Sequence, residues 1–219
     1  MVMLLPTYLD LKSHGETFTE IVNFQTENSW YLDLFAKNQV GSYDTTKFGA
    51  IPMISVGLFP LILAILFFTI KSIKPLVKYT YAAFLLLLIA SFYIEAFDLA
   101  WQGMHAPNMF LHRYVWVFST LIIYMAAETL VRIREIKRIH LSIPFLLLVT
   151  GFFLTFYFRD HYPYLEPIHF ILTVEFLLAY SILLIGKIYK KIPFKIISLL
   201  SLGFVLFEMG LHSHYQIEG

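Results

Sequence analysis

The chain has 219 residues, of which 58% are hydrophobic and 14% are charged, and this balance excludes a protein with a single water-soluble core. A formal net charge of +1 supplies no basic surface for phosphates, so no nucleic-acid partner is expected. The absence of cysteine excludes disulfides, thiolate catalysis and cysteine metal ligands. The expected first partner of so many apolar side chains is a lipid bilayer.

The first 50 residues are predicted to lie mostly outside the bilayer. Residues 1–5 are apolar but too short to span, and we interpret them as the end of a preceding span. Residues 9–50 contain six acidic residues and three lysines, which predicts a long, water-exposed extracytoplasmic loop. Within this loop Ser29 is a candidate N-cap for a short helix that begins at Trp30.

Six apolar stretches follow, and each is predicted to cross the membrane once as a helix. About 20 residues at about 1.5 Å each cross a hydrocarbon layer about 30 Å thick. The stretches are residues 51–70, 79–99, 110–131, 141–158, 167–186 and 196–211. Pro60 lies inside the first stretch and predicts a kink there. The expected fold is therefore an all-α polytopic transmembrane bundle of about six spans over residues 51–211, with an extracytoplasmic end at 212–219.

Basic residues are concentrated in alternate connections, which predicts the orientation of the bundle. Lysine and arginine mark the cytoplasmic side of membrane proteins. The basic groups are Lys71, Lys74 and Lys78; Arg132, Arg134, Lys137 and Arg138; and Lys187, Lys190, Lys191 and Lys195. The N-terminal loop, residues 100–109, residues 159–166 and the carboxyl end are therefore expected to face outward.

The densest polar patch lies between the second and third stretches, at the predicted outer side. Glu95 and Asp98 are three residues apart, so on a helix they share a face, and Trp101 and Gln102 follow one turn later. Both acids are candidates for catalysis or for supporting electrostatics. Asn108, a few residues on, is a candidate for substrate binding, and its structural alternative is the cap of the third span.

Arg113 is the candidate for binding an anion. A cation near the start of a helix opposes the helix dipole, so it needs an anionic partner. One possible partner is Glu95 or Asp98, in a structural ion pair. The other is the phosphate of a lipid-linked substrate, because a planar guanidinium binds phosphate through two parallel hydrogen bonds. His105 and His112 are candidates for proton transfer or ligand binding, with a hydrogen-bonding tether as the structural alternative.

Acidic residues also occur inside the later stretches. Glu175 and Glu208 suggest an internal polar cavity, and the alternative for Glu175 is a hydrogen bond between helices from the protonated acid. Glu128 precedes Arg132 by four residues, so an ordinary helix ion pair explains it. Two histidines, His212 and His214, follow the last stretch, but without a third ligand they make a weak metal site, and no metal site is assigned.

Three motifs of this sequence resemble the YfhO-type bacterial membrane proteins, which have the multi-spanning GT-C glycosyltransferase architecture. The motifs are HAPNMFLHRY at residues 105–114, IPMISVGLFPL at 51–61 and FEMGLHSHY at 207–215. The resemblance covers essentially the whole chain and implies an internal portion of a longer protein. It also implies a sugar donor linked to polyprenyl phosphate and an envelope polymer, such as lipoteichoic acid, as the acceptor. A divalent cation is left open as a cofactor.

Three functions compete at this stage. The first is the membrane core of a glycosyltransferase acting on the outer face, with Arg113 on the carrier phosphate, Asp98 and Glu95 in support, and His105 or Trp101 contacting the sugar. The second is a transporter or lipid flippase, in which the acids inside the stretches would line a route through the membrane. The third is a noncatalytic scaffold for a partner synthase, in which the polar patch would be structural.

Overall fold

The computed structural model describes residues 25–26, 29–42, 51–102, 112–189 and 193–218, and within these ranges the chain forms helices and turns without a strand. Eight α-helices follow one another along the described chain. They are α1 (Asp33–Ala36), α2 (Leu58–Phe67), α3 (Pro75–Tyr93), α4 (Glu95–Trp101), α5 (Val115–Val131), α6 (Arg138–Tyr157), α7 (Pro167–Ile188) and α8 (Phe194–Glu218). Short 3₁₀ turns at Ile133–Glu135 and Arg159–His161 connect α5 to α6 and α6 to α7.

The helices confirm the predicted all-α membrane bundle. Four described segments are long and apolar enough to cross a membrane: Pro75–Tyr93, Ile139–Tyr157, Pro167–Ile188 and Lys195–Tyr215. Two further apolar helices, α2 and α5, are shorter. Large apolar side chains such as Leu146 and Leu199 are about 70% exposed along the spans, which is the surface that a bilayer covers.

The first predicted span is only partly helical. Residues 51–57 are not helical, and α2 begins at Leu58 after Gly57, whose φ of +84° and ψ of 151° suit glycine almost alone. Pro60 lies in the first turn of α2, where a missing N–H costs little, and not in the interior of a helix. The prediction that Pro60 kinks the first span is therefore wrong. The irregular backbone lies before the helix instead.

Helix α2 is the centre of the bundle. It packs against α5, α6 and α7 and contributes to two hydrophobic clusters. Leu63 and Leu66 belong to the cluster formed with α6 and α7, whereas Ala64 and Phe67 belong to the cluster formed with α3 and α5. A helix that is apolar on all sides is suited to this position, because no side of it faces water.

Other helix boundaries differ from the predicted stretches. Helix α3 ends at Tyr93, and Ile94 is extended, so that Glu95 and Asp98 lie on the separate short helix α4 rather than on the end of a span. The third span begins at Val115. The last helix continues to Glu218, so residues 212–218 extend α8 instead of forming a separate tail.

The described part of the N-terminal segment is buried, which corrects the predicted water-exposed loop. Lys37, Gln39 and Ser42 are at most 2% exposed. Their burial is possible because polar groups of this segment find partners on the helices: the Gln39 amide donates to Thr155 of α6, and the Lys37 ammonium lies 5.1 Å from the centre of the Tyr164 ring. Residues 29–42 are therefore part of the bundle.

The short helix expected near Trp30 exists as α1, but Ser29 does not cap it. The Ser29 hydroxyl donates to the carbonyl of Thr26, and the carboxylate of Asp33 accepts the Trp30 N–H instead. The Phe35 ring packs directly on Gly151 of α6, where any side chain would occupy the same space. This contact holds α1 against the bundle.

We call one end of the bundle the polar end, comprising residues 26, 29–42, 91–102, 112–114, 159–169 and 212–215. Three contacts join these parts. The Thr26 N–H donates to the Tyr93 carbonyl, the Trp30 ring stacks on His161 at 4.2 Å, and the N–H of Gly41 donates to Nδ1 of His212. The described residues predicted to face outward therefore meet at this end.

Candidate functional site

A buried Asp98–His112 pair lies at the polar end. Asp98 is 6% exposed and His112 is 1% exposed, and Nδ1 of His112 lies 2.9 Å from Oδ1 of Asp98. The side-chain amide of Gln102 donates to Oδ2 of Asp98, also at 2.9 Å. Both carboxylate oxygens therefore already accept a hydrogen bond. Because Nδ1 donates to the carboxylate, Nε2 is the nitrogen that accepts a proton when the ring is neutral.

Aromatic side chains hold this pair in place. The Tyr114 hydroxyl donates to the Ser91 carbonyl at 2.7 Å and lies 3.3 Å from Nδ1 of His112. The Tyr114 ring is stacked between Phe92 and Trp101, and the Trp101 indole N–H donates to the Ser91 hydroxyl. These contacts connect α3, α4 and the residues that precede α5, so the breaks between the helices bring the pair together.

The backbone at His112 is strained. Its φ of +53° lies in the left-handed region, which residues other than glycine rarely adopt. This conformation costs of the order of 1–3 kcal/mol. The hydrogen bond to Asp98 and the packing against Phe92 and Tyr114 offset that cost. Such strain is concentrated at functional sites, so this conformation favours a functional role for His112.

Within the described structure Nε2 of His112 is buried and has no hydrogen-bond partner. Arg113, the next residue, is exposed, and Glu95 is half-buried on α4. Burial alone would raise the pKa of Asp98, which lies beyond the end of the α3 span, but the interactions with His112 and the hydrogen bond from Gln102 outweigh burial and lower it. An ionised Asp98 therefore contacts a histidine whose buried Nε2 has no partner in the described structure, and the exposed Arg113 is the next residue.

The predicted site residues are only partly described. The structure brings together Asp98, His112 and Trp101, whereas His105 and Asn108 lie outside the described residues and their roles stay predictions. Sequence reasoning missed Ser91 and Tyr114. Tyr114 closes the 105–114 motif, but the motif did not indicate that its side chain is buried, at 6% exposed.

Glu208 lies inside the bundle and holds the start of α2. Its Oε1 accepts the Leu58 N–H at 2.7 Å, and its Oε2 accepts the Tyr180 hydroxyl at 2.6 Å. The first N–H groups of a helix lack partners within the helix and carry partial positive charge, so a carboxylate suits this position. Beside it is a cavity of about 380 Å³ that Glu208 lines together with Ser55, Gly57 and residues of α5 and α8.

The other intramembrane acid is placed differently. Glu175 is exposed on the surface of α7, so Glu208 is the acid of the two that faces an internal cavity. At the opposite end of the bundle the expected ion pair between Glu128 and Arg132 is present as a direct contact.

The histidines near the end of α8 bind backbone groups. Nδ1 of His212 accepts the Gly41 N–H at 3.1 Å, and Nδ1 of His169 accepts the Glu166 N–H at 3.1 Å. Tyr215 packs against His169 edge to face. No group of three or more His, Asp or Glu side chains that could hold a metal ion occurs among the described residues.

The apolar helices, their exposed apolar faces and the buried polar groups together define a multi-pass helical membrane protein that contacts the bilayer. The family model described as Bacterial membrane protein YfhO matches residues 1–219, and the chain belongs to that family. No curated protein and no solved structure matches the chain.

Proposed function

We propose that the chain is the membrane core of a glycosyltransferase. It moves a sugar from a polyprenyl-phosphate carrier to a cell-envelope polymer such as lipoteichoic acid. The polar end faces outward and the basic connections face the cytoplasm. The observation that carries the proposal is the buried Asp98–His112 pair, whose Nε2 has no partner in the described structure, next to the exposed Arg113.

In this proposal His112 is the general base. Asp98 is poorly suited to that role because its hydrogen bonds lower its pKa, and instead it fixes the tautomer and orientation of His112. Nε2 takes the proton of the acceptor hydroxyl while the acceptor oxygen forms a bond to the anomeric carbon of the sugar. The bond between that carbon and the phosphate oxygen breaks, and its electron pair leaves with the phosphate.

Arg113 and Trp101 would act on the two parts of the donor. The guanidinium of Arg113 neutralises the charge that develops on the leaving phosphate. The indole of Trp101 is 43% exposed and provides a flat apolar surface for the C–H face of a sugar ring. The proton taken by His112 returns to water after the product has left, so the site regains its starting state.

The test is envelope-polymer glycosylation in cells that carry variants of the full-length protein, with protein abundance measured in the same samples. Arg113→Ala is expected to reduce transfer by about 100-fold or more at normal abundance. The matched control is Arg134→Ala, an exposed arginine at the other end of the bundle, which should leave transfer unchanged. Unchanged glycosylation in Arg113→Ala would return Arg113 to a structural ion pair.

His112→Gln tests the base without removing a polar side chain. A general base contributes about 10²–10⁴-fold to a rate, so transfer should fall by at least about 100-fold. Asp98→Asn should reduce kcat more than it raises KM for the donor, because it disturbs the orientation of His112 rather than binding. Equal transfer by wild type and His112→Gln would refute this assignment, and the scaffold function would then be favoured.

A lipid flippase is the second candidate, and the interrupted first span favours it. Non-helical backbone inside a membrane occurs where it is buried in protein or lines a cavity, and transporters place substrates at such breaks. Here the break at Gly57 lies beside Glu208 and the cavity. Proteoliposomes containing the full-length protein, a fluorescent lipid-linked sugar and no acceptor decide between the two. Movement of the label across the bilayer would support the flippase.

A further inference from the structure

The cavity beside Glu208 is a groove between α5 and α8, distinct from the Asp98–His112 pair. The non-helical residues 55–57 form its inner wall, α5 contributes Ser119 and Ile123, and α8 contributes residues 208, 209, 212 and 213. Its volume of about 380 Å³ is at the lower end of the range for small-molecule sites, which suits a single sugar ring.

The polar lining of the groove is uncharged apart from one acid. Ser55, Ser119 and Ser213 contribute hydroxyl groups, and Glu208 contributes the carboxylate. Each oxygen of Glu208 has accepted one hydrogen bond and retains capacity for a second, which a ligand hydroxyl can donate. No lysine or arginine is among the described lining residues. This chemistry favours a neutral, hydroxyl-rich ligand and disfavours a phosphate.

His212 adds a donor to this lining. Its Nδ1 accepts the Gly41 N–H, so Nε2 of the neutral ring carries the proton and donates. The groove therefore offers both donors and acceptors, as the edge of a sugar ring requires. The apolar side chain of Val56, which also lines it, suits the C–H face of such a ring.

The groove opens sideways, toward the lipid. Its rim residues Ile123 and Met209 are 53% and 60% exposed, and Met209 lies in the Lys195–Tyr215 span. Large exposed apolar side chains on a spanning helix are covered by acyl chains in a bilayer. A ligand that enters between α5 and α8 therefore comes from the membrane with an alkyl chain attached.

We propose that this groove binds the uncharged sugar head group of a membrane lipid, with the sugar among Ser55, Ser119 and Glu208 and the chain passing between Ile123 and Met209. The linkage between sugar and chain in that lipid carries no phosphate, so the lipid is a ligand other than the polyprenyl-phosphate donor of the proposed function. Recognition of a neutral sugar rests on the groove alone.

The test uses the full-length protein in nanodiscs and a dodecyl glucoside with a photoreactive diazirine in its alkyl chain. Labelling on Ile123 and Met209 is mapped by mass spectrometry. Ser119→Leu fills the groove and should reduce labelling there about tenfold. Thr120→Leu is the matched control, because Thr120 is the exposed neighbour that bonds only its own helix, through the Trp116 carbonyl, in the described structure. Its labelling should equal that of wild type.

Competitors identify the ligand chemistry. Unlabelled dodecyl glucoside should block labelling, whereas dodecyl phosphate at the same concentration should not. Equal labelling of wild type and Ser119→Leu, or equal competition by the phosphate, would overturn the proposal. Stronger competition by a glucosyl diacylglycerol than by a polyprenyl-phosphate-linked sugar supports the neutral glycolipid, and the reverse order overturns that assignment.

The same experiment separates this inference from the proposed function. Photolabelling needs no acceptor and no transfer, so it is measured in His112→Gln as well. Labelling at wild-type level in a His112→Gln protein that still transfers sugar would refute the proposed base while supporting the groove. Transfer that depends on His112, together with labelling that is insensitive to Ser119→Leu, would refute the groove and leave the proposed function in place.

Discussion

Replacing Glu208 is expected to destabilise the bundle because two buried donors depend on it. In Glu208→Leu the Leu58 N–H and the Tyr180 hydroxyl, now 2.7 and 2.6 Å from the carboxylate, both lose their acceptor. A buried donor without a partner costs about 1–3 kcal/mol, so the free energy of unfolding should fall by about 2–6 kcal/mol. Tyr180→Phe removes one donor together with its need for an acceptor and should cost only about 1 kcal/mol.

The assay is reversible unfolding of the full-length protein by SDS in mixed micelles, followed by circular dichroism. Glu175→Leu is the control, because it removes the exposed acid of the α7 span without leaving a buried donor unpaired, so it should not lower the free energy of unfolding. Tyr180→Phe added to Glu208→Leu should cost nothing further, since the unpaired hydroxyl is gone. Equal stability of Glu208→Leu and Glu175→Leu, or simple additivity of the Glu208 and Tyr180 changes, would refute this reasoning.

Two further predictions concern glycines. Gly57→Ala should lower the free energy of unfolding by about 1–3 kcal/mol, because φ is +84° there. Gly203→Ala on α8 is the control, because the added methyl group meets no neighbour within 4 Å. It should be neutral or slightly stabilising in the same SDS titration. Gly151→Ala should displace the Phe35 ring and with it α1. Limited proteolysis should then cut within residues 29–42 faster than in the wild type. Protection equal to that of the wild type would show that this contact does not hold α1.

Sequence alone predicts the positions of the spans but not their interruptions. Apolar length is a local property, so the four long helices were predictable. The non-helical residues 51–57 were not, because they are mostly apolar like the helix that follows, and the pattern does not distinguish buried irregular backbone from helix. Gly57 was the available signal, since it precedes Leu58 and requires a conformation that other residues avoid.

Burial of the N-terminal segment could not be predicted for a different reason. Its composition is polar, and polar segments are normally solvated. The partners that make burial possible, Thr155 for Gln39 and Thr173 for the Val40 N–H, lie more than 100 residues away in the sequence. Pairing over such distances leaves no local pattern. The same holds for Glu208, whose partners Leu58 and Tyr180 belong to two other helices.

The candidate site was predictable in composition but not in geometry. The spacing of Glu95 and Asp98 suggested that both acids act at one place, yet α4 buries Asp98 and leaves Glu95 half-exposed. Which side chain pairs with Asp98 depends on the turn that follows. The φ of +53° at His112 directs the imidazole toward Asp98, while Arg113 is exposed.

The interruption of the first span and the groove are physically one feature. Irregular backbone within a bilayer must be enclosed by protein or line a cavity, because lipid offers no hydrogen bonds. At residues 51–57 both conditions hold: Ile51 and Ile54 are at most 2% exposed, whereas Ser55 and Gly57 line the groove. Glu208 connects the two, since it accepts the first N–H of α2 and lines the same groove. A change in the hydrogen bonding of Glu208 therefore acts on both the start of the central helix and the ligand position beside it.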